Sequence, residues 1–177
     1  MQTIRSLDQM VDHLREKKIR KKIAVAYAQD PNTIGAIAKA INENFVEAFM
    51  IGDKKEIISK AKDEGIDPEI FNIIDIKDEI LATKEAVRMV KNDEADILMK
   101  GLVGTDKFLK AVLDKQLGLL PPKTTMTYVC AIEVPKYHKL LFVSDTAVLP
   151  FPDLKQKIAM INYSVKMAKK FGIDKPK

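Results

Sequence analysis

Ile23-Ala24-Val25-Ala26-Tyr27-Ala28-Gln29-Asp30-Pro31 is the stretch on which the fold of this chain turns. Residues 23–28 form a short apolar run between polar ends, the pattern of a strand buried on both faces. Asp30 then offers a side-chain cap, and Pro31 suits a first helical turn, where its missing N–H has no partner to lose. Residues 32–44 follow with Ile34, Ile37, Ala38 and Ile41 at helical spacing. A buried strand running into a capped helix is the opening half of a βαβ unit.

The cycle repeats downstream. Residues 46–51 read as a strand, and Gly52-Asp53 turns into a helix over about 54–64, closed by Gly65. A strand at 71–76 and a helix at 78–91, with Ile80, Leu81, Val87 and Val90 on one stripe, come next. Ile97-Leu98-Met99 is a strand, and 105–116 is a helix carrying Phe108, Leu109, Val112 and Leu113. Upstream, Ile4, Leu7, Met10, Val11 and Leu14 give residues 3–18 helical spacing. Strands alternating with helices of this length predict an α/β fold: three layers, a mostly parallel sheet and helices on both faces.

The rhythm breaks after residue 118. Residues 118–123 are a loop, and 126–134 and 139–143 are strand-like runs joined by Pro135-Lys136-Tyr137-His138, so an antiparallel hairpin is expected. A long helix follows Pro150-Phe151-Pro152-Asp153 and ends near Lys170, with Gly172 as its cap. Two readings of the remaining residues stay open: the long helix packs back as a final element, or the natural chain continues into another strand.

Composition narrows the class. The chain has 177 residues, 46% of them hydrophobic and 31% charged, which argues against disorder. The net charge is +5, yet lysines and arginines are interspersed with acids and no basic stripe carries aromatics, so nucleic acid is not the expected partner. The densest run, Arg15-Glu16-Lys17-Lys18-Ile19-Arg20-Lys21-Lys22, straddles a helix end, where cations complement the helix dipole. Cys130 is the lone cysteine, excludes an intrachain disulfide and reads as a core residue. Residues 1–10 lack the apolar core of a signal peptide, and no run reaches the ~20 apolar residues of a membrane span. No membrane partner and a reducing, cytoplasmic setting are the expectations. His13 and His138 have no partners at metal-ligand spacing, so no metal is expected.

Three segments could carry chemistry. Lys100-Gly101-Leu102-Val103-Gly104-Thr105-Asp106 lies between a strand end and a helix start, where open α/β sheets bind ligands. Its glycines let a backbone approach a ligand, Lys100 adds positive charge, Thr105 can cap the helix or face an oxyanion, and first-turn amides suit phosphate. An ordinary glycine-containing turn with a threonine cap explains the same residues. Ser144-Asp145-Thr146-Ala147 ends the second hairpin strand; it lines a cleft or is a turn in which Asp145 bonds its own backbone. Ala28-Gln29-Asp30-Pro31-Asn32 faces the same side by topology, and capping chemistry accounts for it.

Taken in order, Ala95-Asp96-Ile97-Leu98-Met99-Lys100-Gly101-Leu102-Val103-Gly104-Thr105, then Phe108-Leu109-Lys110-Ala111-Val112-Leu113, resemble the phosphate acetyl/butyryltransferase family. So do Glu133-Val134-Pro135, Leu140-Leu141-Phe142-Val143-Ser144-Asp145-Thr146-Ala147, and Pro152-Asp153-Leu154 with Lys157. The resemblance is to the phosphate butyryltransferase type, N-terminal portion only. It implies an isocitrate dehydrogenase-like first domain over residues 1–150, with 151–177 a helix leading into a second domain that this sequence lacks. It implies acyl exchange between CoA and inorganic phosphate: butyryl-CoA plus phosphate gives butyryl phosphate plus CoA. CoA is then a substrate, with no bound cofactor, and a homo-oligomer is the expected assembly. The resemblance puts Lys100, Gly101, Gly104 and Thr105 near the phosphate or acyl phosphate, with Ser144 and Asp145 nearby along one wall. It assigns the catalytic base and oxyanion groups to the C-terminal part, so the chain alone is expected to be inactive. The other reading is a non-catalytic ligand-binding or oligomerisation module of the same fold. Thr127-Tyr128 departs from the Ser-His that the family often carries, and Thr146 and Leu149 depart after the Ser-Asp pair.

Overall fold

The computed structural model describes residues 3–177; Met1 and Gln2, part of the stretch read for a leader, lie outside the described residues. The elements in chain order are α1 (Leu7–Lys17), β1 (Lys21–Ala26), α2 (Pro31–Asn42), β2 (Val46–Gly52), α3 (Lys54–Asp63), β3 (Asn72–Asp75), α4 (Glu79–Lys91), β4 (Ile97–Lys100), α5 (Thr105–Val112), β5 (Val129–Ile132), β6 (Leu141–Ser144) and α6 (Leu154–Lys170). The chain divides into two compact units, Lys18–Pro121, and Met1–Lys17 with Pro122–Lys177. Each unit has its own sheet.

In the Lys18–Pro121 unit the sheet order is β3-β2-β1-β4 and every pairing is parallel. The chain steps from β1 outward to β2 and β3, then returns through α4 to place β4 on the other side of β1. Right-handed crossovers put α2 and α3 on one face and α4 on the other. The core shows both layers. Ile23, Val25 and Met50 pack with Ile34, Ile37, Ile57 and Ala61. Ala24, Ala26 and Ile51 pack with Ala82, Ala86, Met89 and Val103. Successive residues of β1 thus serve opposite faces, as strand geometry requires, and the apolar run at 23–26 is buried throughout.

The α2 start follows the local chemistry read from Asp30-Pro31. The Asp30 carboxylate accepts from Thr33 N at 2.8 Å and from Thr33 Oγ1 at 2.7 Å. Gly65 and Gly172 stand just past α3 and α6 with φ of +70° and +78°, the left-handed region that ends helices. One helix is shorter than expected. α5 stops at Val112 rather than 116 because Asp114 Oδ1 accepts from Gln116 N at 2.8 Å and Leu117 N at 2.7 Å, which draws the chain into a turn.

In the other unit β5 and β6 form the expected antiparallel hairpin, with Val129 opposite Ser144 and Ile132 opposite Leu141. Its strands are four residues each. Asp153 and Gln156 form a reciprocal capping box that starts α6. The N-terminal segment is tied to the end of α6: Ile4 N donates to Phe171 O and Thr3 Oγ1 to Gly172 O, both at 2.9 Å. The Phe142 and Phe171 rings meet edge to face at 5.3 Å. Cys130, expected in the core, is free and only partly buried, because a two-stranded sheet covers one face at most.

Replacing Asp30 by Ala leaves two Thr33 donors without their acceptor, and urea unfolding is expected to show a loss of about 0.5–2 kcal/mol. Asp30→Asn, which keeps an acceptor oxygen, is expected to lose less.

Candidate active site

Strand order reverses between β1 and β4. Loops leaving two such neighbours part toward opposite faces and open a crevice at the carboxyl ends. Here those loops are residues 27–30 and the Lys100-Gly101-Leu102-Val103-Gly104 turn, so two of the three candidate segments come together. They are joined by backbone: Gly101 N donates to Ala26 O at 3.0 Å and Leu102 N to Tyr27 O at 2.8 Å. A Cβ on Gly101 would lie 2.5 Å from Tyr27 O and 2.9 Å from Ala26 O, so only glycine allows this approach. Tyr27 itself takes φ of 59°, an uncommon conformation for an aromatic residue. Lys100 is exposed at the rim, with a long 3.4 Å bond from Nζ to Gly101 O. Asp30 is held below its ordinary carboxyl value, first by the Thr33 hydroxyl and amide, then by the positive charges of Lys60 and Lys100.

The far end of the turn differs from expectation. Thr105 does not cap α5; Gly104 is the cap residue and Thr105 is the first helical residue. Gly104 O already accepts the first helical bond, from Phe108 N at 2.9 Å, which leaves no capping position for Thr105. Gly104 brings no side chain of its own. Its N–H donates instead to Glu79 Oε1 of α4 at 2.8 Å, and Glu79 Oε2 receives the Lys107 ammonium. These bonds, Lys107 first and Gly104 second, hold the Glu79 carboxyl below its ordinary value. Sequence reasoning missed Glu79. An acid in a first helical turn reads as a partner of its own helix dipole, and nothing local links it to an amide 25 positions on.

Ser144 and Asp145 lie in the other unit. Asp145 bonds its own backbone: Oδ1 accepts from Val148 N at 2.7 Å, Leu149 N at 3.0 Å and Ala147 N at 3.3 Å, while Oδ2 takes Thr127 Oγ1 at 2.7 Å. Burial pushes this carboxyl up, but the hydrogen bonds outweigh it and leave it at about 2. The Thr127 departure therefore supplies one of the bonds that hold Asp145. Ser144 Oγ donates to Tyr128 O at 3.3 Å, and Ser144 lines a groove of about 830 Å³ between β6 and α6. Among the described residues no group of three or more metal-ligating side chains comes together, and no helix is long and apolar enough to cross a membrane.

Residues 79–177 match the family described as Phosphate acetyl/butaryl transferase, more than half of the chain and all six candidate binding residues. The chain belongs to this phosphate acetyl/butyryltransferase family. A phosphate butyryltransferase of Clostridium beijerinckii is 41% identical over 173 residues, 98% of this chain and 57% of that protein. A phosphate acetyltransferase of Thermotoga maritima is 37% identical over 173 residues, 97% of this chain and 57% of that protein. The chain thus spans a little over half the length of these curated relatives. A phosphotransacetylase from Streptococcus pyogenes shares the fold with a TM-score of 0.78 at 18% identity, over 96% of this chain and 60% of that one.

Two outcomes follow for this family member. Gly101→Ala forces a methyl group into the Tyr27 carbonyl; a stability loss of about 1–3 kcal/mol is expected in urea unfolding. Asp145 is depressed in the fold to about 2, from about 3.9 when unfolded. Its contribution is therefore complete above pH ~4 and disappears as pH falls through ~2. Asp145→Asn is expected to lower the melting temperature at pH 7 and to flatten its decline between pH 4 and pH 2.

Proposed function

We propose that this chain is part of a phosphate acyltransferase that exchanges a short acyl group between CoA and inorganic phosphate, in the sense butyryl-CoA plus phosphate to butyryl phosphate plus CoA. The observation that carries the reading is the glycine turn at the β1/β4 switch point, with Lys100 exposed beside it and family membership behind it. A phosphate oxygen attacks the thioester carbonyl carbon, a C–O bond forms, and the tetrahedral oxyanion collapses by breaking the C–S bond. The thiolate leaves and takes up the proton that the attacking phosphate gives up. Lys100 supplies charge to the phosphate, Gly101 permits the close backbone wall, and the Gly104–Thr105 amides complete the cradle. Ser144 is proposed as a further substrate contact, with Asp145 holding the chain reversal behind it.

The base for the thiol and the oxyanion donors are proposed to come from the part of the family's length that this chain does not span. The support for this is the family resemblance, which places those groups in the C-terminal part, together with the little over half of its relatives' length that the chain spans. A cytoplasmic setting is proposed with the function. A second reading, a non-catalytic ligand-binding or oligomerisation module of the same fold, draws support from α6. Leu154, Ile158 and Ile161 recur at helical spacing on it and are 75%, 51% and 62% exposed. The same stripe supports a homo-oligomer under either reading.

Thiol release from butyryl-CoA, with and without phosphate, tests the proposal. It is measured on this chain alone and on this chain joined to the remaining length of the Clostridium beijerinckii relative. The joined protein is expected to release thiol only with phosphate, and Lys100→Ala there to lower kcat/KM for phosphate at least about tenfold, the scale of one charged contact. A folded joined protein without phosphate-dependent release overturns the proposal; release by this chain alone overturns the assignment of the base elsewhere.

A further inference from the structure

The groove of about 830 Å³ between β6 and α6 is lined wholly by residues of the 137–177 stretch, and the acyl-transfer reading uses only Ser144 of it. Its long wall follows from helical spacing. Lys157, Met160, Ile161, Ser164, Val165 and Ala168 stand at i, i+3, i+4, i+7, i+8 and i+11 of α6 and so form one stripe, about 16 Å long. Phe142 and Ser144, two apart on β6, share the opposite wall. The floor is apolar: Ala168 is buried, and Phe142, Met160 and Val165 are half-buried. The charged side chains that line the groove are all lysines, with no aspartate or glutamate among them. A volume of this size suits a small molecule, and an apolar lining with a few polar groups is how small-molecule sites are built.

We propose that this groove binds a medium-chain fatty carboxylate, with its acyl chain along the α6 stripe and its carboxylate on the Lys157 ammonium. The charge pattern selects the head group: a lysine-lined groove without acids attracts an anion and repels none. The two ends of the groove are not equivalent. Phe142 packs on Phe171, just past the end of α6, so Lys139, which precedes β6, lies toward that end. The Lys139 ammonium already sits 5.8 Å from the centre of the Tyr137 ring, a cation–π contact. Lys157, near the start of α6, has no acid partner among the described residues and is the ammonium left for a carboxylate. The half-buried apolar floor between these ends takes the methylene chain, whose removal from water supplies the affinity. None of this uses the Lys100–Gly104 turn, so this proposal and the acyl-transfer reading fail separately.

The test is a titration of the 177-residue chain, and of the joined protein, with octanoate, butyrate and octanamide, read from the Phe142, Ser164 and Val165 amide resonances. Octanoate is expected to reach half-saturation at a concentration at least about tenfold lower than butyrate, because more methylenes leave water. Octanamide keeps the chain without the charge and is expected to bind about two- to fivefold more weakly than octanoate, the scale of one exposed ion pair. Lys157→Gln is expected to abolish that preference for octanoate over octanamide, and Lys139→Gln to keep it. Absence of shifts at the three residues overturns the proposal, as does butyrate or octanamide binding as tightly as octanoate. So does a preference that survives Lys157→Gln, or one that Lys139→Gln abolishes equally. Loss of octanoate binding in the joined protein also overturns it and assigns the groove to the added length of chain.

Discussion

Where β4 leaves its sheet, the backbone at Gly101 passes so close to the carbonyls of Ala26 and Tyr27 that a methyl group has no room. Two hydrogen bonds, from Gly101 N and Leu102 N, close that contact. The rest of the Lys18–Pro121 unit is arranged around it. The contact exists because β4 lies next to β1, and β4 lies there because the chain doubles back after β3 instead of adding a strand beyond it. The same reversal sends α2 and α5 to opposite faces and leaves the crevice between their starts. A turn that needs a glycine for packing thereby also presents bare backbone at the place where an open α/β sheet receives ligands.

Charge at this edge of the sheet follows from helix chemistry. Each helix start exposes amides that need acceptors, and aspartates placed just before α2, α3 and α4 provide them. α5 is the exception, and the acid that serves it comes from a neighbouring helix. That acid, Glu79, makes one amide bond, from Gly104 N, and one partly exposed ion pair, with Lys107.

The unit formed by the chain's two ends is built differently. Its sheet has two strands, and its cohesion draws on the edge-to-face Phe142–Phe171 contact and on the bonds from Thr3 and Ile4 to the end of α6. Asp145 orders the chain after β6 by accepting three amides and a hydroxyl at once. That use of both carboxylate oxygens is the turn reading of Ser144-Asp145, and it leaves Ser144 as one of the hydroxyl residues lining the groove, with Ser164 and Tyr137. Along α6, Leu154, Ile158 and Ile161 stay exposed.

Local chemistry was enough to place most elements. Short apolar runs with polar ends, such as 23–26, fit strands buried on both faces, and Asp30-Pro31, Gly65 and Gly172 mark helix ends by conformational rules that act within a few residues. The α/β class, the parallel sheet and the hairpin were legible for that reason, as were Lys100 and Gly101 as residues at a strand's carboxyl end; the family was legible only through the resemblance of particular stretches, such as residues 95–113. What only the tertiary structure decided depends on residues distant in sequence. The order β3-β2-β1-β4 sets which two loops share the crevice, and the link from Glu79 to Gly104 spans 25 positions. The Thr127 bond to Asp145, 18 positions apart, is a further case; the early stop of α5 at Val112 is instead a local turn at Asp114 that helical spacing alone passes over. Contacts between distant residues are set by three-dimensional proximity, which no periodicity or cap signal encodes.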